Sequence, residues 1–247
     1  MPDPSLSNNT IFAFRPQAMR WEPTTRIPPP TAATCAAPQS GPFTNIAAIK
    51  TSSLAPGLLV VARADAIWML NTSAADGHWK QLAPSNSSAC VYSHATAIAI
   101  LPLNDAGNTL RIIFGASNSR YRSSYALFTG DIAPLSLQLT GSVVQRYLVQ
   151  SAVSNTSSQS YRALGRMHVS SIIASDQALV WAGLNAGDYF ALYLPPFLLK
   201  SNDSAETFAT HNLPGANLNV AALRVRHLGL KGYFLFLFVW RVANGDR

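Results

Sequence analysis

Carboxylate side chains, the groups that carry most acid and base catalysis, are scarce in this chain. The two glutamates are Glu22, in a Pro-rich stretch, and Glu206, inside a polar turn. Four of the aspartates stand beside Gly, Ala or the end of an apolar run, where aspartate commonly forms turns: Asp65, Asp76, Asp131 and Asp188. Because glycoside hydrolysis and related reactions need a pair of positioned carboxylates, the sequence favours a non-catalytic protein.

The histidines are not spaced as metal ligands. No two of the five stand at ligand spacing along the chain: His78, His94, His168, His211 and His227. The chain also has no Gly-rich phosphate loop and no Gly-x-Ser-x-Gly elbow that would present a serine nucleophile. We therefore expect neither a metal ion nor a cofactor.

The net charge is +7, but the 18 basic residues are scattered. Their densest pairs are Arg120 with Arg122 and Arg224 with Arg226. A nucleic-acid surface usually shows a stripe of Lys and Arg, so we expect no nucleic-acid partner. The apolar run Tyr233–Trp240 is short against the about 20 residues of a spanning helix, so a buried strand is expected and no membrane span.

Five Asn-x-Ser/Thr sequons suggest a glycosylated surface if the chain enters the secretory route, namely Asn8, Asn71, Asn86, Asn155 and Asn202. They point to a secreted or extracellular protein. The first ten residues, however, have neither a basic region nor an apolar core of a signal peptide. Two interpretations stay open: a cytosolic protein with idle sequons, or a chain whose leader has been removed.

Short apolar runs bounded by turn residues recur along the chain with one internal order. Between Pro42 and Trp79 these runs are Ile46–Ile49, Leu58–Ala62 and Ile67–Leu70, and each has the length of a buried strand. Four landmarks return after 52 to 58 residues: Ile11 as Ile67, Trp21 as Trp79, Cys35 as Cys90, and Ile46 as Ile98. Such a nearly constant offset indicates an internal repeat.

The repeat predicts an all-β fold, a β-propeller with about four recognisable blades of three or four antiparallel strands. Ile46, Ile98, Ile172 and Val220 are predicted to occupy equivalent positions in the first strand of each blade. Later runs supply further strands, among them Leu110–Gly115, Tyr125–Phe128, Leu179–Gly183, Tyr189–Leu194 and Tyr233–Val239. A β-sandwich without repeats is the alternative.

The division of the chain follows from these repeats. Residues 1–42 are predicted to hold a strand and a Pro-rich loop that complete the last blade, and residues 43–247 the propeller repeats, in a single domain. Joining the two ends in one composite blade would cover open strand edges, whereas an incomplete ring would leave them exposed.

The Ile-Ala strand followed by Leu110-Arg111-Ile112-Ile113-Phe114, a further strand and a Trp resembles the fungal fucose-specific lectins. The resemblance implies a six-bladed propeller whose sugar sites combine an Arg, a Glu and aromatic residues. Arg111 stands at the position of that Arg, while Leu59, Val180 and Phe234 replace it in the other copies. The implied partners are glycans or glycoproteins, with fucosylated ones included.

Tryptophans are the groups best suited to stack on a sugar, and Trp79 is the aromatic candidate. Trp79 and Trp21 share one position in the repeat, which favours packing in the core for both. Trp68 lies between Ile67 and Met69, so strand alternation predicts that it faces away from them.

The stretch Ser201–Phe208 resembles the Asp-box of sialidase-type and sortilin-type propellers, with Ala205 in place of Gly and Phe208 in place of Trp. The box is a structural hairpin turn, and its resemblance implies no catalysis. We expect a carbohydrate-binding or interaction propeller without catalytic activity. The alternatives are a sialidase-like hydrolase, or its relic, and a scaffold without a ligand.

Cys35 and Cys90 occupy matching positions in adjacent repeats. Sheets packed face to face lie about 10 Å apart, whereas a disulfide needs Cα atoms within about 4.4–6.8 Å. Free thiols are therefore expected, although loops that converge would allow a disulfide.

Overall fold

The computed structural model describes residues 10–28, 46–52, 55–63, 66–73, 77–82, 92–104, 108–118, 125–148, 168–175, 178–185, 197–212, 218–227 and 233–241. These residues form five antiparallel sheets, which we number I to V in chain order. The described part includes no α-helix, and a 3₁₀ turn at Pro16–Ala18 connects its first two strands. The protein is all-β, as its short apolar runs predict.

Each sheet is built from consecutive strands. Sheet I contains β1 (Thr10–Arg15) and β2 (Arg20–Arg26), and sheet II contains β3 (Ile46–Thr51), β4 (Leu58–Arg63), β5 (Ile67–Asn71) and β6 (Lys80–Gln81). Sheet III contains β7 (Tyr92–Pro102), β8 (Leu110–Asn118), β9 (Tyr125–Ala133), β10 (Gln138–Leu139) and β11 (Val144–Leu148), the last two both paired with β9. Sheet IV contains β12 (His168–Ala174), β13 (Val180–Asn185), β14 (Phe197–Ser201) and β15 (Ala209–Asn212), and sheet V contains β16 (Leu218–His227) and β17 (Tyr233–Arg241).

Most apolar runs predicted as strands fall within observed strands, but two residues predicted in a loop or turn lie in strands. Glu22 lies in β2 and not in a loop, and Asp131 lies inside β9 and not in a turn. The run Tyr189–Leu194 is outside the described residues, and the third strand of sheet IV is β14. Cys35 and Cys90 also lie outside the described residues, so their free or paired state stays a prediction.

The first strand of sheets II to V carries a register irregularity before or within its Ile-Ala segment, which skips one residue in β3, β12 and β16 and three in β7. The register shifts lie between Ile46 and Ala48, Ser93 and Ala97, Val169 and Ser171, and Val220 and Ala222. A bulge adds unpaired residues to one strand and increases the local twist. These four strands are therefore equivalent elements, as the repeat predicts.

The predicted residue-by-residue equivalence is wrong in two of the four copies. Ile98 and Ile172 follow the bulge, whereas Ile46 and Val220 precede it. Counting from the bulge, the residues that match Ile98 and Ile172 are Ile49 and Leu223. The apolar Ile-Ala pattern occurs on both sides of the bulge, so the sequence alone does not fix which side to align.

Neighbouring sheets pack in chain order through separate apolar cores. Residues such as Val60 and Met69 of sheet II meet Ile98 and Phe114 of sheet III. The opposite face of sheet III, including Ile113, packs against sheet IV. Sheet I covers sheet II through a third cluster, which contains Ile11, Ile27, Val61, Ala66 and Trp68. Trp68 thus faces away from Ile67 and Met69, which confirms the predicted alternation.

The described strands form no closed ring of sheets. The first strands lie side by side, β3 against β7, β7 against β12, and β12 against β16. Within the described part of the chain, however, β1 pairs with β2 and β17 with β16, and β1 does not pair with β17. The composite blade and the propeller itself stay predictions.

Candidate functional site

Arg111, the residue that the lectin resemblance singles out, lies in β8 on the face that meets sheet IV. Its Nε donates to Asp131 Oδ1 at 2.7 Å and its Nη2 donates to Asp131 Oδ2 at 2.8 Å. Asp131 is directly opposite Arg111 in the β8–β9 register, so the two strands position this bidentate pair. The Arg111 side chain is only 6% exposed.

A turn of sheet IV supplies the remaining acceptors of this cluster. Arg111 Nη1 donates to the Ser204 carbonyl oxygen at 2.8 Å and to Glu206 Oε1 at 2.5 Å. Glu206 Oε2 also pairs with Arg146 Nη1 of β11 at 2.5 Å. The hydrogen bond to Asp131, then that to Glu206, raises the pKa of Arg111 against the opposing effect of burial. Arg111 therefore stays charged and joins sheet III to sheet IV.

The geometry of Arg111 bears directly on its predicted sugar-binding role. Four of its five N–H donors take part in the bonds described above. A sugar hydroxyl would have to displace a protein acceptor to reach the guanidinium. The glycan site at Arg111 stays a prediction. The contacts of Arg111 with Asp131, Ser204 and Glu206 link sheet III to sheet IV, and we call them the inter-sheet clasp.

Trp79 lies elsewhere, at the interface between sheets I and II. Its Nε1 donates to Thr25 Oγ1 at 3.1 Å, and its ring is partly buried against the cluster that contains Ile11 and Val61. The structure therefore does not bring Trp79 to the sheet III–IV interface that holds Arg111. The expected packing role of Trp79 agrees with these contacts.

The Asp-box-like stretch forms the turn between β14 and β15. The Ser201 hydroxyl donates to Asp203 Oδ1 at 2.7 Å, and Asp203 accepts bonds from the Thr207 hydroxyl and backbone N–H. These bonds, led by that of the Thr207 hydroxyl, lower the pKa of Asp203 to about 2. Ala205, which replaces the glycine of the box, has a φ of 66° and is fully buried in the sheet III–IV core. The burial of Ala205 offsets the cost of its left-handed backbone.

Exposed aromatic residues share one face of sheet I. Register pairs Phe14 with Trp21 and Phe12 with Pro23, and the Phe14 and Trp21 rings have centroids 5.4 Å apart. Trp21 is 66% exposed, which contradicts its expected place in a core. We call Phe12, Phe14, Trp21 and Pro23 the aromatic face.

The opposite face of sheet I is anchored to sheet II. Ile11 packs in the shared cluster, Thr25 accepts the bond from Trp79, and the buried Arg63 donates from Nη1 to the Pro28 carbonyl oxygen at 2.7 Å. The aromatic face is thus held by a fixed support. The repeat does not predict the aromatic face, because the shared repeat position of Trp21 and Trp79 favours packing for both. The alternation of Phe12 and Phe14 along β1 is the sequence signal that would predict it.

The sequons differ in their surroundings. Asn71 is 5% exposed, and its Nδ2 donates to the Pro134 carbonyl oxygen at 3.2 Å. Asn202 is exposed in the turn after β14. Asn8, Asn86 and Asn155 lie outside the described residues, so their glycosylation stays a prediction.

Other chemistry is sparse in the described part of the chain. Glu22 is paired with Arg20 at 2.7 Å and with Arg15 at 3.4 Å. Among the described residues, no three His, Cys, Asp or Glu side chains are grouped in a way that would hold a metal ion. Within the same ranges, no helix has the length and apolar character needed to cross a membrane.

Comparison with known proteins adds no relative. No protein-family model matches the chain, and no curated protein matches it. The resemblances to fungal fucose-specific lectins and to Asp-box propellers therefore stay predictions.

Proposed function

We propose that this protein is a non-catalytic carbohydrate-binding module that stacks a sugar on the aromatic face of sheet I. The observation that carries the proposal is the exposed pair of Phe14 and Trp21, 41% and 66% exposed on one side of a hairpin. Large aromatic rings are normally buried, and a contiguous exposed group of them marks a binding surface. The apolar face of a sugar ring is one natural partner for such rings.

A charged cluster lies on the side of the hairpin opposite to the aromatic face, because strand alternation turns Arg15, Arg20 and Glu22 away from Phe14 and Trp21. Arg15 and Arg20 occupy the register position next to Phe14 and Trp21, and their side chains are 57% and 70% exposed. Both pair with Glu22, which keeps the three groups together at the end of the hairpin. The proposed site therefore depends on stacking by the rings of the aromatic face.

The charged cluster at the sheet III–IV interface favours binding over hydrolysis. Asp131 and Glu206 are both engaged by arginines, Asp131 by Arg111 and Glu206 by Arg111 and Arg146. A substrate would have to displace an arginine side chain to reach either carboxylate. This arrangement gives less support to the sialidase-like alternative.

The propeller forms part of this proposal. The equivalent bulged strands β3, β7, β12 and β16 lie next to one another in chain order, as the inner strands of successive blades would. Secretion is proposed from the sequons, and fucosylated glycans are proposed as the ligand class from the lectin resemblance.

A glycan array followed by titration with the best glycan tests the function. Trp21→Ala should weaken binding about tenfold or more, because it removes the largest ring of the aromatic face. Leu135→Ala is the matched control, since Leu135 is an apolar residue in the turn between β9 and β10 and is 84% exposed. Arg111→Ala tests the alternative site. Absence of any glycan hit, or equal binding by Trp21→Ala and the native chain, would contradict the proposal.

A further inference from the structure

One edge of β17 has no partner strand among the described residues. β17 runs from Tyr233 to Arg241 and pairs with β16 on one side, and no described strand pairs with its other edge. Eight consecutive residues, from Tyr233 to Trp240, are apolar. Proteins normally protect an exposed edge with charges, prolines or a short strand, and β17 has none of these along that run.

The strands that correspond to β17 in sheets II, III and IV are paired on both edges. The second strands β4, β8 and β13 each have a third strand on this edge, namely β5, β9 and β14. Five of the six residues of β4 are buried, on both faces of the sheet. A continuous apolar sequence is typical of strands in the interior of a sheet. The composition of β17 thus fits a paired strand, although sheet V ends with it.

We propose that β17 pairs antiparallel with β17 of a second copy of this chain, about a two-fold axis. Such an isologous pairing covers both free edges at once and ends at a dimer. A two-fold axis at Leu237, the middle of the strand, pairs all nine residues of β17 with all nine of its copy. Arg241, the one charged residue of β17, then stands opposite the partner's Tyr233 and not opposite a like charge.

β1, which belongs to the segment predicted to complete the last blade, fits β17 less well. β1 has six residues against nine, and sheet I is already anchored to sheet II through Ile11, Thr25 and Pro28. Pairing of β17 with β1 of another copy would also be heterologous, so it closes only if the rotation between copies allows it and otherwise builds open chains. The symmetric pairing is therefore the one that length, charge and closure favour.

The dimer would carry two copies of the aromatic face. If that face binds a glycan, which rests on the proposed function, two faces on one particle raise the apparent affinity for a surface with many glycans. The pairing itself does not need a glycan. The pairing of the two copies is therefore measured without a glycan.

Light scattering after size exclusion tests the assembly of the full chain over about a hundredfold range of concentration. We expect a mass twice that of the 26.5 kDa chain. Phe236→Lys should shift the species to monomer, because a charge in the middle of β17 opposes burial of its edge. Circular dichroism of that variant checks that the sheets are retained. A monomer at every concentration, or assemblies larger than two, would overturn the proposal.

Cysteine cross-linking tests the register even if Phe236→Lys fails to fold. In a chain carrying Cys35→Ser and Cys90→Ser, Leu237→Cys should form a disulfide-linked dimer on mild oxidation, because residues at the two-fold axis lie within disulfide range. Leu223→Cys is the control, since Leu223 pairs with Leu237 inside the hairpin, on β16. Equal cross-linking of the two variants, or none for Leu237→Cys, would rule the arrangement out.

Discussion

Arg111 holds two sheets together because it is buried and fully charged. It bonds both oxygens of Asp131 within sheet III and reaches the Ser204 carbonyl and Glu206 carboxylate of sheet IV. A buried charge is tolerated when opposite charges and hydrogen bonds surround it, and removal of one partner leaves the others unpaired. The contacts of Arg111 thus make stability, more than recognition, its measurable property.

Arg111→Ala should lower the free energy of unfolding by about 3 kcal/mol, since it leaves Asp131 at a sheet interface without its cation. Arg20→Ala is the control, because Arg20 pairs with Glu22 at the surface and its loss should cost less than about 1 kcal/mol. Urea denaturation of the three proteins measures both effects. Equal stability of the two variants would show that the clasp contributes no more than a surface ion pair.

Asp203 gives the turn between β14 and β15 a defined pH dependence. Its pKa falls from the usual 3.8 to about 2, because Thr207 and Ser201 donate to the ionised carboxylate. A folded-state pKa below the unfolded value stabilises the fold above pH 3.8, and this stabilisation is lost as the pH falls towards 2. Between these two pH values, the midpoint temperature of thermal unfolding should fall more steeply with decreasing pH for the native chain than for Asp203→Asn. Parallel curves would contradict the assignment.

The surroundings of Asn71 and Asn202 predict opposite outcomes for their glycosylation. Asn202 is exposed, whereas the nitrogen of Asn71 to which a glycan would attach already donates to Pro134. Secretory expression should therefore give folded protein with a glycan at Asn202 and none at Asn71. Mass spectrometry after glycosidase treatment measures the occupancy, and Asn202→Gln and Asn71→Gln are the paired variants. Folded protein with an occupied Asn71 would contradict the structure.

Among the elements, β8 and β12 approach each other most tightly at Gly115. A Cβ placed on Gly115 would lie 2.3 Å from Val169 Cβ, and the Thr96 hydroxyl already bonds the Val169 carbonyl oxygen at 2.7 Å. These contacts leave no space for a methyl group between sheets III and IV. Glycine is therefore required at this position by packing.

Gly115→Ala should destabilise the protein by about 1–3 kcal/mol, because the added methyl forces β8 and β12 apart. Gly141→Ala is the matched control, since a Cβ on Gly141 would meet no atom within 4 Å. Chemical denaturation compares the two variants with the native chain. A Gly115→Ala protein as stable as Gly141→Ala would show that the sheets adjust at no cost.

The strands were predictable from sequence because their apolar runs are short and end at Gly, Pro or polar turns. The pairing register of these strands was less predictable. A bulge adds a residue without changing the apolar pattern, which is why Ile46 was matched to Ile98 in place of Ile49. Pairing partners decide such an offset, and they belong to other parts of the chain.

The sequence predicts the strands that carry the candidate residues but not how these residues lie relative to one another. The predicted sugar-binding residues Arg111 and Trp79 lie at different interfaces, and the sequence does not predict the contact of Arg111 with Glu206, 95 residues further along the chain. The repeat also predicts core positions for both Trp21 and Trp79, because each blade needs a packing aromatic residue, and Trp21 is exposed instead. Whether an aromatic residue is covered depends on the neighbouring sheet, and sheet I has such a neighbour on its other face.

The order in which the sheets pack also affects cooperativity. Sheets II, III and IV each have two packed neighbours among the described sheets, whereas sheets I and V have one. In a linear array of this kind, local opening starts at the ends and moves inward. The aromatic face lies on one of those end units, so a ligand bound there would suppress fraying of that end. The measured free energy of binding of that ligand would then include the free energy of closing sheet I on sheet II.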